Sequence, residues 1–460
     1  MRAERFYADS KIIAVEAVPI PQPGPGEVLV KVAFCGICHS DLSLINGTFP
    51  AQVPVVTQGH EAAGTIAKLG PDVTGWAEGD RVVVAAGRPC LECVNCRRGD
   101  ISNCLRIQLM AFAYDGAWAE FTVAQAIGLT RVPDNVPLAQ AAILADAVST
   151  PFGAVVRTGK VSIGESVGVW GVGGIGTHIV QLSRLVGAAP IIAVDIKPAV
   201  LDRAIELGAD YAFDARDDGL HDKIAEITDG RKLDVAFDAV GLRSTFQQAL
   251  DNITVGGRLV GVGMSADAPT LGPTSMFNLS QKQILGHLGY QNVDIATLAT
   301  LVSRGRLDLS RSISDIVSLD DIRVGNELIE LSDEPDLARA IQRGDMDTAT
   351  AVCTSFFDSP FTDEPGQPCT ASFLWCLRCE NAIVTRRHLP RLVYLHRGLN
   401  ELRGTLDQAV WDQDWREHFH RLHLLLTEHT TTAEQAAALR AISDTDRALI
   451  DRLLHRGLDT

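Results

Sequence analysis

The chain has 460 residues, of which 46% are hydrophobic, and its formal net charge at pH 7 is −16. This length predicts two or three domains that each bury a core, and the negative charge argues against nucleic acid or an anionic membrane as a partner. The first residues carry charges with no apolar run behind them, and no stretch reaches 18 apolar residues. We therefore expect neither a signal peptide nor a membrane span.

Residues 1–147 are predicted to form mostly strands and turns, because short β-branched runs alternate with proline and glycine. The predicted strands are 12–18, 28–34, 64–69 and 81–85. Two cysteine-containing segments lie between these strands, and they carry the first candidate functional residues.

Residues 148–289 change character, since apolar strands alternate there with amphipathic helices. The predicted strands are 167–170, 191–195, 235–238, 258–262 and 284–288, spaced as βαβ units require. This spacing predicts a parallel sheet covered by helices on both faces. In 290–331 a helix at 295–304 and a strand at 312–318 would return the chain to the first domain.

Residues 332–460 differ in composition and are predicted to form a separate, mainly helical module with apolar residues at a helical period. Four cysteines occur in this tail, and only the last two have the spacing of metal ligands: Cys353, Cys369, Cys376 and Cys379. Both a metal site and free thiols remain open for them. We expect His418, His420 and His423 to lie on a solvated helix face.

The ten cysteines of the chain are clustered, which favours metal binding in a reducing, cytoplasmic setting over disulfides. The densest cluster is C-x2-C-x2-C-x7-C, formed by Cys90, Cys93, Cys96 and Cys104. Four thiolates within fifteen residues can surround a metal with no open coordination position, so the pattern predicts a structural zinc site. Free buried thiols and an iron–sulfur cluster are the alternatives.

A glycine-rich turn follows the predicted strand 167–170 and begins a helix. Its candidate cofactor-binding residues are Gly171, Gly173, Gly174, Ile175 and Gly176. The first glycine permits a tight turn, the second lets the backbone approach a pyrophosphate, and the last allows the helix to pack closely on the strand. The pattern predicts a dinucleotide site.

The end of the next strand carries Asp195, nineteen residues after Gly176. A carboxylate there can accept hydrogen bonds from an adenosine ribose and would repel a 2′-phosphate, which favours NAD over NADP. Lys197 lies two residues further on and leaves some room for the phosphorylated cofactor.

A third candidate site lies between Cys35 and Glu61. Cys38 and His60 combine a soft thiolate with an imidazole, the ligands that zinc prefers. Asp41 is placed to orient His60 from behind the metal. Cys35 is predicted to be a packed thiol, and His39 is predicted to lie outside the metal shell.

Together these motifs resemble the zinc-containing alcohol dehydrogenases of the medium-chain dehydrogenase/reductase superfamily, over residues 1 to about 322. They are Cys-Gly-Ile-Cys-His-Ser-Asp, Gly-His-Glu, the four-cysteine lobe, Gly-Val-Gly-Gly-Ile-Gly and the later Asp195. The resemblance implies an α/β fold in which a GroES-like catalytic domain is joined to a Rossmann domain, with the active site in the cleft between them. The tail lies outside the family.

The resemblance also implies roles for individual residues. Cys38 and His60 map to the first two ligands of a catalytic zinc, and Asp146 maps to the third, where many members have cysteine. In the alternative, Asp146 caps a turn and Glu61 takes its place on the metal. Otherwise Glu61 is the carboxylate beside the zinc.

The implied reaction is the reversible oxidation of a primary or secondary alcohol to an aldehyde or ketone by hydride transfer to NAD. Zinc acts as the Lewis acid, Ser40 relays the proton, Ser43 extends its path, and Thr150 packs against the nicotinamide ring. Phe49, Phe112 and Trp118 are candidates for the substrate pocket. A polyol or aldehyde-adduct dehydrogenase and a non-catalytic NAD-binding protein are the alternatives.

The resemblance implies a homodimer or homotetramer formed through the sheet edge near 284–288. The final strand that family members use to complete the catalytic domain is not recognisable after residue 331, where a polar helical stretch at 336–344 follows instead. This departure leaves open how the catalytic domain is completed.

Overall fold

The computed structural model describes residues 1–319 except 48, 266 and 314, and beyond them 352–353, 382–383, 388–403, 408, 411, 415–443, 446–448, 450–451 and 454. The chain divides into two compact units, Met1–Asp333 and Glu334–Thr460. The predicted mixed α/β class is confirmed. The predicted boundaries after residues 147, 289 and 331 stay predictions.

The first part of the larger unit is built from antiparallel strands. They are β1 (Arg2–Tyr7), β2 (Ile12–Ala17), β3 (Glu27–Cys35), β4 (Val55–Val56), β5 (Ala62–Leu69), β6 (Arg81–Val84), β7 (Gly87–Arg88), β8 (Gln108–Leu109), β9 (Phe121–Gln125) and β10 (Leu129–Arg131). One sheet has the order β2-β1-β4, a second has the order β10-β6-β5-β3-β9, and β7 pairs with β8. Valine and isoleucine side chains on β3, β5 and β6 fill the core of the second sheet.

The pairing of β3 with β5 brings together two segments that are distant in sequence. Cys35 at the end of β3 lies opposite Ala62 at the start of β5. Because the strands are antiparallel, the chain that leaves β3 and the chain that enters β5 meet at the same end of the sheet. Cys38 and His60 therefore become neighbours.

Four short helices complete this part and connect it to the next. They are α1 (His39–Asn46), α2 (Val94–Arg97), α3 (Leu138–Ile143) and α4 (Ser149–Phe152), and a π-helical segment (Gly153–Thr158) extends α4. The turn between α3 and α4 carries Asp146.

The second part of the unit is a six-stranded parallel sheet with flanking helices. Its strands are β11 (Val167–Trp170), β12 (Ile191–Asp195), β13 (Tyr211–Asp214), β14 (Leu233–Asp238), β15 (Ile253–Gly261) and β16 (Gln283–Gly286). Its helices are α5 (Gly174–Val186), α6 (Pro198–Glu206), α7 (Leu220–Ile227), α8 (Arg243–Asp251), α9 (Thr274–Ser280) and α10 (Asn292–Ser303). The order β13-β12-β11-β14-β15-β16 is that of a dinucleotide-binding sheet, with the switch point between β11 and β14.

Both faces of this sheet are buried, which explains its continuous apolar strands. On β12, Ile191 packs into one core cluster and Ile192 into the other. After β16 the chain returns to the first part, where Asn135 donates to the carbonyl of Ser303 at the end of α10 (2.8 Å).

The sequence predicted β11 and β12 to the residue, but it missed β1 and β13. Three charged side chains in β1 hide its alternation, and β13 is a four-residue edge strand. The predicted strand at 312–318 is wrong, because its described residues pair with no strand and Ile316 is 61% exposed. An apolar residue without a neighbouring strand does not extend a sheet.

The smaller unit is mainly helical in its described part, as predicted. It contains β17 (Val352–Cys353) paired with β18 (Ala382–Ile383), and the helices α11 (Leu389–Arg403), α12 (Arg416–His429) and α13 (Thr432–Ala441). Its core includes two tryptophans, Trp411 and Trp415, among leucines of the helices. The unit therefore has a hydrophobic core of its own.

Two predictions for the tail have different outcomes. His420 and His423 are exposed as expected, but His418 is buried, because α12 turns that side toward the core. The possible metal site of the tail and the segment 331–344 lie outside the described residues, apart from the backbone of Cys353 in β17. Among the described helices, none is long and apolar enough to cross a bilayer.

Candidate active site and metal centres

The four-cysteine segment folds into a small lobe in which the sulfur atoms converge. The Sγ atoms of Cys93 and Cys96 are 3.5 Å apart, and those of Cys90 and Cys96, like those of Cys93 and Cys104, are 4.0 Å apart. These separations are far longer than a disulfide bond of about 2.05 Å. They match the edge of about 3.8 Å of a tetrahedron with zinc–sulfur bonds of about 2.3 Å.

The thiols of the lobe differ in acidity: backbone hydrogen bonds lower the pKa of Cys90 and Cys93, whereas burial raises the pKa of Cys96 to about 12. Backbone N–H groups of Glu92 and Cys93 hydrogen-bond to Cys90 and lower the pKa of its thiol to about 6. Further N–H groups point at the other sulfurs, such as that of Arg106 at Cys104 (3.4 Å). The four residues therefore fit a closed metal site that supports the lobe.

A second cluster consists of Cys38, His60, Glu61 and Asp146, whose donor atoms all lie within 4.8 Å of one another. Asp146 Oδ2 is 3.3 Å from His60 Nε2 and 3.9 Å from Cys38 Sγ. For a tetrahedral zinc with usual bond lengths, we expect about 3.4 Å and about 3.6 Å for these separations. The donor set fits a divalent cation, because a thiolate and an ionised carboxylate that are largely withdrawn from water need a positive charge for compensation.

Asp41 supports this cluster from behind. Its Oδ1 lies 3.4 Å from His60 Nδ1, and its Oδ2 accepts the backbone N–H of Cys38 (2.9 Å). The carboxylate is fully buried. The structure thus brings Asp41 to the position from which it can fix the ring of His60.

The remaining predicted residues lie at different distances from the cluster. Ser40 Oγ is 3.7 Å from Cys38 Sγ, whereas His39 is exposed. Thr150 is buried, and its hydroxyl donates to Oδ1 of Asp146. The Cys35 thiol donates weakly to the carbonyl of Gly36 (3.6 Å), and burial raises its pKa.

The two carboxylates of the cluster differ in electrostatics. Burial, with the nearby Asp146, raises the pKa of Glu61 to about 8. Burial acts to raise the pKa of Asp146 too, but hydrogen bonds from His60 and Thr150 outweigh it and lower that pKa. Asp146 is therefore the carboxylate that is more readily ionised.

Gly36 makes room for Glu61. A Cβ atom on Gly36 would lie 2.0 Å from Glu61 Oε2, a distance that requires the carboxylate to move. Any larger residue at this position of the Cys-Gly-Ile-Cys segment would displace Glu61 from the metal pocket.

The glycine-rich turn lies between β11 and α5. Gly171 has φ of 80°, and a Cβ atom on Gly176 would lie 1.8 Å from the carbonyl oxygen of Gly171. A Cβ atom on Gly173 or Gly174 would meet nothing within 4 Å, so the turn faces open space at the N-terminus of α5. Open backbone at a helix N-terminus fits the pyrophosphate of a dinucleotide.

Asp195 ends β12 beside this turn. Its Oδ2 accepts the N–H of Val172 (2.9 Å), and its Oδ1 accepts those of Ile196 (2.8 Å) and Lys197 (3.2 Å). The turn and the carboxylate form one hydrogen-bonded unit. Ile175, the last of the predicted cofactor residues, lies in the first turn of α5.

Three further residues lie around the metal cluster. His287 and Tyr290 were not identified from the sequence, and Phe112 was named from it without a position. His287 Nε2–H donates to the carbonyl of Thr150 (2.9 Å), and Tyr290 accepts the N–H of Ala86 (2.9 Å). The ring of Phe112, a pocket candidate, has its centroid 6.1 Å from that of His60. Only the fold brings His287 and Tyr290 here, since both follow β16.

Comparisons with known proteins agree with this architecture. Residues 24–134 match the alcohol dehydrogenase GroES-like domain, and residues 174–304 match the zinc-binding dehydrogenase domain. The chain is 30% identical over 317 residues to sorbitol dehydrogenase of Bacillus subtilis (strain 168), which covers 68% of this chain and 89% of the relative. The chain belongs to the zinc-containing alcohol dehydrogenase family of the medium-chain dehydrogenases/reductases.

Solved structures of this family superpose on the same part of the chain. The alcohol dehydrogenase TADH from Thermus sp. ATN1 is 29% identical with a TM-score of 0.65, covering 72% of this chain and 96% of that one. A zinc-binding dehydrogenase from Sinorhizobium meliloti 1021, bound to NADP, is 27% identical with a TM-score of 0.63. The match covers 67% of this chain and 90% of that one. The resemblance inferred from the motifs is confirmed, as are the GroES-like and Rossmann parts.

Membership in the family makes the chain a zinc-binding dehydrogenase, an oxidoreductase that acts on small molecules. The residue roles predicted from the sequence are consistent with the geometry, and they stay predictions until they are tested.

Proposed function

We propose that the chain is an NAD-dependent alcohol dehydrogenase that interconverts a primary or secondary alcohol with its aldehyde or ketone. The observation that carries the proposal is the partly buried cluster of Cys38, His60 and Asp146, with Asp146 Oδ2 3.3 Å from His60 Nε2. This cluster occurs in a chain that also carries the open glycine-rich turn and Asp195. Metal ligands and a dinucleotide turn in one unit are what hydride transfer from an alcohol requires.

The bound groups supply the chemistry that side chains lack: zinc held by Cys38, His60 and Asp146 is a Lewis acid that makes an alcohol more acidic, and NAD at the glycine-rich turn accepts hydride. Asp41 keeps the ring of His60 oriented. Ser40 Oγ, beside Cys38 Sγ, would accept the alcohol proton while its own hydroxyl proton passes on toward solvent, along a path that Ser43 extends.

Other residues exclude water and hold the ligand pocket in shape. Phe112 lies against His60, and Trp118 donates its indole N–H to the carbonyl of Gly36 (3.1 Å), which fixes the segment before Cys38. Apolar walls of this kind strengthen the electrostatic interactions inside the pocket. Glu61 stays beside the metal, and Thr150 faces the nicotinamide.

NAD is proposed over NADP because of Asp195. Its carboxylate is anchored by three backbone N–H groups, so it cannot easily turn away from a 2′-phosphate, and it would repel that group. Lys197, two residues further on, is the nearest positively charged residue in sequence that would favour a 2′-phosphate. A ratio of kcat/KM for NAD over NADP below one would contradict this choice.

A polyol is the second candidate substrate class, because sorbitol dehydrogenase of Bacillus subtilis is among the similar proteins. A panel of simple primary alcohols, secondary alcohols and sugar alcohols, followed by the absorbance of NADH, distinguishes the two classes. The class of alcohol with the higher kcat/KM is assigned as the substrate class.

The oligomer is proposed to be a homodimer or homotetramer formed along β16. This strand is the edge of the six-stranded sheet, and Leu288 just beyond it is exposed. Light scattering of the full chain tests the assembly, and a monomeric mass at micromolar concentration would contradict it.

The central test compares two cysteines three residues apart. Cys38→Ser removes a proposed ligand, whereas Cys35→Ser changes a thiol outside the cluster. We expect the full chain to bind two zinc ions, one for each cluster, and Cys38→Ser to lose one zinc and turnover while Cys35→Ser keeps both. Full zinc-dependent turnover in Cys38→Ser would refute the assignment. A third zinc in the parent would point to the tail cysteines.

A further inference from the structure

The two oxygens of Asp146 have different surroundings. Oδ2 faces the metal cluster, 3.3 Å from His60 Nε2 and 3.9 Å from Cys38 Sγ. Oδ1 accepts the hydroxyl hydrogen of Thr150. One oxygen is thus directed at the ligand pocket while the other is occupied by a protein donor.

The local backbone explains how Thr150 reaches the carboxylate. The N–H of Thr150 donates to the carbonyl of Asp146 (2.9 Å), a bond of helical type that spans four residues. Residues four apart in a helical turn lie on the same side, so the hydroxyl and the carboxylate face each other. Thr150 is buried, which removes competing water from this hydrogen bond.

The other side of Thr150 is held by the sixth strand of the parallel sheet. His287, the residue after β16, donates its Nε2–H to the carbonyl of Thr150 (2.9 Å), and its Nδ1 accepts the hydroxyl of Thr158 (2.9 Å). A carbonyl can only accept, so these partners fix the tautomer of His287. A Cβ atom on Gly153 would lie 2.9 Å from His287 Cε1, so glycine allows the close approach.

The chemistry of a carboxylate ligand makes this arrangement consequential. A thiolate offers a metal one sulfur, whereas a carboxylate can bind through either oxygen or through both. A hydrogen bond to one oxygen removes that choice. Glu61, another buried carboxylate of the same cluster, would otherwise compete for the metal.

We propose that Thr150 is a positioning residue that reserves Oδ2 of Asp146 for the metal, and that His287 anchors this residue to the last strand of the nucleotide-binding sheet. The proposal rests on the proposed function only in taking Asp146 as a metal ligand. It gives Thr150 a task on the metal side of the pocket in addition to the proposed contact with nicotinamide.

The first test compares Thr150→Val, which keeps the shape and loses the donor, with Thr150→Ser, which keeps the donor. Outer partners of metal ligands contribute about 10- to 100-fold to metal affinity. We expect Thr150→Val to lose the second-cluster zinc about 10- to 100-fold more easily in a chelator titration, and Thr150→Ser to behave as the parent. The zinc of the four-cysteine lobe serves as the internal control for folding.

A spectroscopic signature adds a readout that is independent of turnover. With Co(II) in place of zinc, Thr150→Val should shift the absorption bands of the one-thiolate site and leave those of the four-thiolate site unchanged. In steady-state kinetics we expect kcat to fall while KM changes little, because the residues that line the substrate pocket are unchanged. Parent-like cobalt bands and zinc affinity in Thr150→Val would overturn the proposal.

The second test separates the role of His287. His287→Gln can still donate an amide N–H to the carbonyl of Thr150, whereas His287→Phe cannot. We expect His287→Phe to weaken the second-cluster zinc severalfold and His287→Gln to restore it. If both variants bound the second-cluster zinc as tightly as the parent does, His287 would be removed from the proposal.

Failure of the proposed function gives a different result. If the parent chain binds zinc only at the four cysteines, the second cluster is not a metal site and both ideas fall together. If the parent binds two zinc ions and Thr150→Val binds both as tightly, the function stands and the positioning role is refuted.

Discussion

Glu4→Gln tests the electrostatics of the buried N-terminal strand. Glu4 lies in β1 with no exposed surface, and its Oε2 accepts the backbone N–H of Gln58 (2.7 Å), two residues before His60. Its Oε1 has no hydrogen-bond partner among the residues that the structure describes. Burial raises the pKa of this carboxyl from 4.5 to about 8, with the backbone bond opposing the shift.

The sign of the pH dependence follows from this pKa. The folded chain keeps the proton up to about pH 8, whereas the unfolded chain loses it near pH 4.5. The contribution of Glu4 to stability is therefore full below pH 4.5 and declines as the pH rises to about 8. At about 1.4 kcal/mol per pKa unit, the decline amounts to at most about 5 kcal/mol.

Glutamine keeps the shape and the acceptor for Gln58 but cannot ionise. Its amide introduces buried N–H donors, and one left without a partner costs about 1–3 kcal/mol at every pH. We expect Glu4→Gln to be less stable than the parent by about 1–3 kcal/mol near pH 4.5 and more stable, by about 2–4 kcal/mol, at pH 8 and above.

The assay is urea unfolding of zinc-loaded parent and variant at several pH values between 4.5 and 9. Glu120→Gln is the control, because Glu120 is partly exposed and pairs with Arg2 at the start of the same strand. A stability difference between Glu4→Gln and the parent that does not change with pH would refute the reasoning. The reasoning would also be refuted if the difference in unfolding free energy between Glu120→Gln and the parent changed with pH as much as that of Glu4→Gln.

Three further predictions concern the sites. Gly36→Ala should displace Glu61 and weaken metal binding at the second cluster, because the alanine Cβ would lie 2.0 Å from Glu61 Oε2. The zinc content after treatment with a chelator measures this effect, and a zinc content equal to that of the parent would contradict it. Asp195→Ala should raise kcat/KM for NADP relative to NAD at least tenfold, and an unaltered ratio would exclude Asp195 as the discriminating residue. Cys96→Ser should abolish the four-sulfur site and lower Tm, whereas a zinc-loaded Tm equal to that of the parent would argue against a structural metal.

The sequence predicted those parts of the fold and site that depend on local pattern. β11 and β12 have apolar runs followed by a glycine turn and an aspartate, and the four-cysteine lobe carries its geometry in its spacing. Asp146 was assigned only through resemblance to the family. Nothing in its own neighbours marks an aspartate in a turn as a metal ligand.

The contacts that were not predicted depend on tertiary structure. His287 lies 137 positions from Thr150 in sequence, and its role appears only when β16 is placed beside α4. Glu4 belongs to a strand whose charged side chains hide its alternation, and its burial becomes visible only with the neighbouring segment at Gln58. Distance along the chain, not residue type, limited the prediction.

The meeting of β3 and β5 has a consequence for how the chain comes apart. Cys38 follows the end of β3 and His60 precedes the start of β5, but Asp146 is 86 residues beyond His60 and belongs to the segment that leads into the parallel sheet. A metal ion bound to all three would act as a reversible cross-link that closes this large loop. Closing a loop of that size removes about 4–5 kcal/mol of chain entropy from the unfolded state, if it behaves as a covalent link does. Extraction of the metal should thus lower the free energy of unfolding of the larger unit.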